Sequence, residues 1–353
     1  EAVAILRALV LEDIKILILD EPTSILSHRE IQILFSLIRS LKEQGVSIIY
    51  VTHNLNEVFE ITDRFTVFRA GQNVGTFPSD KATYSHNDIA ELMLGNKLQS
   101  VYPEASESYG ETLFAIEDLA YGQVFEDVTF EVRRNEIVGI FGLVGSGLDE
   151  LCKTMFGDLR ADTGEIRIAG VPQNFRSCAD AIDAGIFLVP ADRHTEGYFS
   201  DESIAFNTTI SNLPGVSSRG IVRRKAETNA TLALIDELKL APGDPHGNIS
   251  KLSGGNQQKA VMAKGFFTDS SVYIFAEPTV GVDIGAKALI YHAIRDLSTR
   301  CATIVASSDV EEVYGIADRI LVVYEGKVVL NATKTDVSLD DVLVCGLTGE
   351  VPK

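Results

Sequence analysis

The chain has 353 residues, 31 of them basic and 50 acidic, for a net charge of −19. An acidic surface repels nucleic acid and anionic lipid at long range, so no nucleic-acid partner is expected and any membrane association should go through a protein. No apolar run approaches the roughly 18 residues that a spanning helix needs, no signal peptide is visible, and Cys152, Cys178, Cys301 and Cys345 lack the spacing of a disulfide or metal framework.

The length suggests two domains. The acidity sits mainly in the later part, with 9 basic and 13 acidic residues up to Leu98 against 22 and 37 afterwards. The chain opens on Glu1 inside a helical pattern (Ala2, Ile5, Leu6, Leu9), as a chain missing its start would. Ile16 to Leu19 follow, four branched apolar residues bounded by charge, which read as a fully buried parallel strand. At its carboxyl end, where ligands sit in an open α/β sheet, stand Asp20 and Glu21. An aspartate there can hold Mg²⁺ directly or through water, and the adjacent glutamate can take a proton from an attacking water. The other reading of the pair is a capping cluster at a strand-to-loop junction. A helix from about His28 to Gln44 then leads to a second buried strand, Val46 to Val51, closed by Thr52 and His53. This crossover unit puts His53 at the same sheet edge as Glu21, where a neutral imidazole can contact a phosphate. A short helix at Leu55 to Ile61, a hairpin around Ala70 and Gly71, and a helix at Asn87 to Leu94 complete residues 1–94. Residues 95–111 turn polar and aperiodic and read as a linker.

From residue 112 a second domain begins, with antiparallel strands at Leu113 to Leu119 and Phe125 to Val132. A buried strand, Glu136 to Phe141, then runs into GLVGSGLDEL. Strand, glycine-rich turn and helix are the context of a phosphate loop; Gly142, Gly145, Ser146 and Gly147 are its candidates for nucleotide contact. Such a loop normally continues with Lys and Ser or Thr, the first on the β- and γ-phosphates and the second on Mg²⁺. Here those positions are Leu148 and Asp149. One lost charged hydrogen bond is worth roughly 1.5–3 kcal/mol, about tenfold to a hundredfold in affinity. A dinucleotide site is the rival reading of these glycines, although no acid follows at the right distance. Arg193, after the strand Gly185 to Pro190, is open between phosphate contact, ion pair and solvated loop cation. Lys225 to Leu240 reads as a long amphipathic helix of a helical subdomain.

LSGGNQQK, Leu252 to Lys259, puts a serine and two glycines at a helix start. Ser253, Gly254 and Gly255 can therefore present a hydroxyl and bare N–H groups to an anion, with Asn256 and Gln257 as further donors. An apolar strand, Val272 to Phe275, ends at Ala276 and Glu277. The strongest organisational signal is internal: ILILDEPTSILS…VTHNLNEVFEITDRFTVFRAG aligns with VYIFAEPTVGVD…SSDVEEVYGIADRILVVYEG. Ala276 then stands where Asp20 stands and Ser308 where His53 stands, so the second copy should hydrolyse nucleotide poorly or not at all.

These motifs resemble those of the ATP-binding-cassette ATPases. LSGGNQQK matches their signature, and ILDEPTSILS is similar to their Walker B strand, catalytic glutamate and D-loop (Ser24 to Ser27), with His53 as switch histidine. EPTVGVDIGAK, GLVGSG, AGIFLVPADRHTEG and MLGNKLQSVYP look like the duplicated ATPase subunit of bacterial simple-sugar importers. The resemblance implies an α/β fold of P-loop NTPase domains: a partial first copy, then a complete second copy with an antiparallel β subdomain and a helical subdomain. It implies ATP and Mg²⁺, with Asp20 as metal contact, Glu21 and His53 as catalytic groups, and Ser253 to Gln257 completing the first copy's site by head-to-tail closure. It implies a membrane permease as partner, a periplasmic or extracellular sugar-binding protein indirectly, and a place on the cytoplasmic face of the membrane. Because no intact phosphate loop is visible, the 353-residue chain alone is expected to show no ATP turnover. A cassette protein acting on ribosomes or DNA, or an inactive remnant, is the alternative.

Overall fold

Parallel strands that are apolar without alternation must be covered on both faces, and the later part of the chain does this with helices on one side and a second sheet on the other. The computed structural model describes residues 14–23, 28–52, 55–69, 71–84, 88–89, 92–93 and 101–351. The chain divides into two units, Glu1–Ser100 with Asp283–Gly285, and Val101–Val282 with Ala286–Lys353. The opening helical pattern, Ser24 to Ser27, His53, Ala70 and part of the Asn87 to Leu94 helix lie outside the described residues.

In the first unit, β1 (Ile16–Asp20) pairs in parallel with β2 (Ser47–Val51), Ile16 opposite Ser47 and Asp20 opposite Val51. The crossover between them is α1 (His28–Glu43). α2 (Leu55–Ile61) and the hairpin β3 (Arg64–Arg69) and β4 (Gln72–Pro78) follow. One expectation fails: β1 is buried on one face only. Leu17 and Leu19 pack with Leu34, Phe35 and Ile38 of α1, whereas Ile16 and Ile18 are 61% and 64% exposed, and Ile49 and Val51 of β2 lie open beside them. The period-two geometry of a strand forces this split when one side has no cover.

The second unit is built on a six-stranded sheet, in the order β10-β13-β14-β7-β15-β16. Its strands are β7 (Ile137–Gly142), β10 (Ile186–Val189), β13 (Val272–Ala276), β14 (Ala302–Ser307), β15 (Arg319–Tyr324) and β16 (Lys327–Thr333). All pairings are parallel except β15 with β16. β5 (Thr112–Tyr121), β6 (Phe125–Arg133), β8 (Thr163–Ile168) and β9 (Val171–Gln173) form the separate antiparallel sheet, in the order β6-β5-β8-β9. Together with α3 (Leu148–Met155) it covers one face of the main sheet, burying Val272, Ile274, Ile304 and Ala306. Those four match the open Ile16, Ile18, Ile49 and Val51 of the first unit. The other face lies under α7 (Gly254–Phe266) and α8 (Ile284–Ser298). α9 (Val310–Ile316) and α10 (Leu339–Thr348) enclose the β15 end.

Between β9 and β13 the chain forms α4 (Cys178–Asp183) and β10, then a helical subdomain of α5 (Ile204–Thr209), the short hairpin β11 (Ser217–Ser218) and β12 (Ile221–Val222), and α6 (Arg224–Glu237), which leads into α7. α6 is less amphipathic than its sequence suggests, with only Thr231 and Ile235 fully buried. α7 instead is buried nearly all round, including Gln257, Gln258 and Lys259, as befits a helix between sheet and subdomain.

Val101 to Gly110, the later part of the expected linker, belongs to this second unit. Tyr102 stacks on Tyr291 at 5.1 Å between ring centroids. A Cβ at Gly315 would lie 2.2 Å from the Tyr102 ring, so only glycine leaves room for it. The Ser106 amide donates to Asp318 Oδ1 at 3.0 Å. That carboxylate also forms a buried two-point ion pair with Arg295, at 2.8 and 2.9 Å, and accepts from the Ile137 amide at 2.8 Å. Among the described residues, no helix is long and apolar enough to cross a membrane.

Lys264, in the last turn of α7, donates to the Gly197 carbonyl, and burial pushes its ammonium down from 10.5 to about 8. Between those values the unfolded chain binds more protons than the folded one, so this group makes stability rise with pH. A shift of that size corresponds to about 3 kcal/mol. The urea midpoint should therefore move upward between about pH 7.5 and about pH 10, and Lys264→Met should flatten that part of the rise.

Candidate functional site

Both units carry a glutamate at the end of a parallel strand in a conformation that L-residues avoid. Glu21 has φ 45° and Glu277 φ 47°. Left-handed backbone at a non-glycine residue costs on the order of 1–3 kcal/mol and persists only where its surroundings impose it. The same ladder bond precedes it in both units. The Glu21 amide donates to the Val51 carbonyl at 2.9 Å, and the Glu277 amide to the Ala306 carbonyl at 2.8 Å. Each glutamate is thus turned out of the sheet just past its strand.

Around these acids the copies diverge. Asp20 ends β1 exposed, and a single carboxylate beside substrate phosphates and water suits Mg²⁺. Ala276, at the matching place, is buried and offers no ligand. Among the described residues no cluster of three or more His, Cys, Asp or Glu could hold a metal by itself. Glu277 is clamped: Oε2 accepts from Ser307 Oγ at 2.9 Å and Oε1 from the Ser308 amide at 2.7 Å. The clamp comes from the segment that matches Thr52 and His53.

The glycine-rich turn has the backbone of an anion cradle. β7 ends at Gly142, Gly145 and Gly147 take φ 86° and 93°, and α3 starts at Leu148. A Cβ at Gly142 would lie 2.5 Å from Ser146 Oγ, so the loop folds back over its own first residue. The Ser146 amide donates to the Leu143 carbonyl and its carbonyl accepts from the Gly326 amide, each at 2.9 Å. Its hydroxyl is buried with no hydrogen-bond partner, an orphan that a phosphate oxygen could satisfy. The side chains do not complete the cradle. Leu148 is buried against the core, and Asp149 puts a carboxylate in the first turn of α3, bound to Lys153 at 3.0 Å. Lys153 also reaches Glu196 at 3.1 Å; its pKa is raised, first by the hydrogen bond to Asp149. The nearby cation therefore serves two carboxylates. This donor set fits a backbone-bound anion and does not fit Mg²⁺.

At the signature, Ser253 is exposed at the N-cap of α7, and its Oγ accepts from Asn256 Nδ2 at 2.9 Å. Asn256 Oδ1 in turn accepts from the Ala241 amide at 2.9 Å. Gly255 and Gln257 are buried, so the open part of the cap is Ser253 with the half-buried Gly254. A Cβ at Gly254 would lie 2.8 Å from the Gly281 carbonyl and 3.1 Å from Arg193. Arg193 is neither ion-paired among the described residues nor a fully solvated loop cation. It is half-buried, burial lowers its pKa, and it donates to the carbonyls of Val280, at 2.6 Å, and Gly281, at 3.5 Å. It braces the loop after Glu277 against the signature helix. Sequence reasoning missed that brace, the serine clamp, and a buried carboxylate behind each strand-end loop, Glu57 and Glu312. A signal was present for the last pair, since both sit at one position of the internal repeat.

A family model described as ABC transporter matches residues 125–280. The ribose import ATP-binding protein of Bacillus subtilis is 39% identical over 315 residues, 89% of this chain and 64% of that protein. A ribose import ATP-binding protein of Streptomyces coelicolor is 37% identical over 356 residues, 100% of this chain and 68% of the relative. The arabinose import ATP-binding protein of Vibrio parahaemolyticus is 41% identical, covering 89% of this chain and 62% of its own length. The chain thus spans less than two thirds of the Bacillus and Vibrio relatives. Among solved structures, the ADP form of an ATP-binding cassette from an ABC transporter matches with TM-score 0.57 and 17% identity, over 68% of this chain and 97% of that one.

If Leu148 and Asp149 are what weakens the loop, Leu148→Lys with Asp149→Thr should tighten ATP binding to the second unit by about tenfold to a hundredfold, read by equilibrium dialysis.

Proposed function

Because the chain belongs to the ATP-binding-cassette transporter family, among its sugar-import ATP-binding proteins, we propose that it is the ATP-hydrolysing subunit that energises import of a monosaccharide through a separate membrane permease. The alignment with ribose and arabinose import proteins over 89% or more of the chain carries this reading. The acidic composition supports a protein partner over nucleic acid. On this reading the protein sits on the cytoplasmic face of the membrane, held by the permease, and a sugar-binding protein delivers substrate from the other side.

In the first unit Glu21 orients the attacking water and accepts its proton, the role for which an exposed strand-end carboxylate with an imposed backbone is suited. His53 contacts the γ-phosphate. Asp20 would hold Mg²⁺, which when bound neutralises charge on the phosphates. Ser253, with the N–H groups of Gly254 and Gly255, is a second source of charge stabilisation at a helix start. The second unit's own loop keeps a cradle of backbone N–H groups but has Ala276, Leu148 and Asp149 where ligands and a cation are needed, and its glutamate is clamped by Ser307. It is therefore a nucleotide-holding copy with little or no turnover.

The test is ATP turnover and ATP-dependent sugar uptake by the full-length gene product reconstituted with its permease in vesicles. Glu21→Gln should lower the hydrolysis rate by about 10²–10⁴, whereas Glu277→Gln should change it by less than about threefold. Full turnover in the Glu21 variant would remove that residue from the mechanism.

A further inference from the structure

Behind each strand-end loop a buried carboxylate collects hydroxyl groups. In the first unit Glu57, on α2, is 4% exposed. It accepts from Thr23 Oγ1 at 2.6 Å, Tyr50 OH at 2.9 Å and Thr52 Oγ1 at 2.8 Å. In the second unit Glu312, on α9, is 1% exposed and accepts from Thr279 Oγ1 at 2.5 Å and Tyr291 OH at 2.9 Å. Burial pushes the Glu312 carboxyl up, and burial with the neighbouring carboxylate pushes up the Tyr50 and Tyr291 hydroxyls.

The differences between the copies show which of these bonds matters. The tyrosines come from unrelated elements, β2 in one unit and α8 in the other. Thr52 donates to Glu57, whereas the hydroxyl of its counterpart Ser307 is shared between Glu277 and Glu312. The bond that both keep undivided runs from the threonine two residues past the left-handed glutamate to the carboxylate on the following helix. The glutamate's φ is therefore fixed from two sides, by its own amide on the adjacent strand and by a side-chain tether two residues on.

We propose that Glu57 is a positioning residue for the hydrolytic reaction: through Thr23 it holds the left-handed turn at Glu21 and ties the direction of that carboxylate to the helix that follows His53. This rests on the reading of Glu21 as the group that handles the attacking water. Without the tether the backbone at Glu21 can relax toward the ordinary φ region, which re-aims the carboxylate. Misplacing a reacting group by about 1 Å can cost on the order of a hundredfold in rate.

Four variants of the full-length gene product test this. Thr23→Val removes only the tether and should lower kcat by about tenfold to a hundredfold, with KM for ATP held within about threefold. Tyr50→Phe takes a different hydroxyl from the same carboxylate without touching the loop and should lower kcat by less than about threefold. Glu57→Gln keeps an oxygen for Thr23 and can donate its amide to the Tyr50 and Thr52 oxygens, so it should restore most of the rate lost in Glu57→Ala. Equal losses in Thr23→Val and Tyr50→Phe, or losses that simply follow the melting temperature, would overturn the proposal in favour of plain packing. No hydrolysis by the unsubstituted protein would instead sink the reading of Glu21. The tether is then judged alone, by amide hydrogen exchange at Glu21 in the 353-residue chain. Faster exchange in Thr23→Val than in Tyr50→Phe supports it, and unchanged exchange refutes it.

Discussion

A single backbone bond anchors the end of a central strand in each unit: the amide of a strand-end glutamate donating to the carbonyl that ends the neighbouring parallel strand. A left-handed turn follows it at Glu21 and Glu277, and that turn ends the strand while the carboxylate is still at the sheet edge. The parallel register of β1 with β2, and of β13 with β14, makes the bond available. The crossover helices α1 and α8 hold the strands in that register. Chemistry at the edge therefore depends on an ordinary strand pairing, and the local strain is offset by the core packed beneath it.

The two copies share this geometry and differ in what surrounds it. In the first, Thr52 is drawn to Glu57. In the second, Ser307 and the Ser308 amide turn inward onto Glu277. Ser308, which the internal repeat sets against His53, thus contributes its backbone amide to the hold on this glutamate. The glycine-rich turn keeps its positive-φ geometry, with the buried Leu148 where a phosphate loop has its cation.

Much of this was legible in the residues. Runs such as Val272 to Phe275 read as apolar strands, and the internal repeat placed Ala276 and Ser308 against Asp20 and His53. What stayed hidden follows from side-chain contacts that no local pattern encodes. The left-handed backbone at Glu21 and Glu277 carries no glycine to announce it. Arg193 looks like a loop cation because its partners are carbonyls nearly ninety residues away in the chain. The exposed face of β1 was missed because an apolar run shows which residues need cover and not whether both sides receive it.

The tail of the apparent linker shows how misleading composition can be about a domain's edge. Val101 to Gly110 reads as a hydrophilic spacer, yet Tyr102 fills a slot opened by Gly315, and Ser106 shares the Asp318 carboxylate with Arg295. The first copy has Glu60 where Gly315 stands, and spends it on a surface pair with Arg39, so that copy has no slot of this kind. Trimming the second domain to the start of its first strand would strip the ring from Tyr291 and take two hydrogen-bonding groups from a buried ion pair. Anyone excising that domain for separate study should begin no later than Val101, since Val101 and Tyr102 pack against its core and Ser106 bonds its buried ion pair.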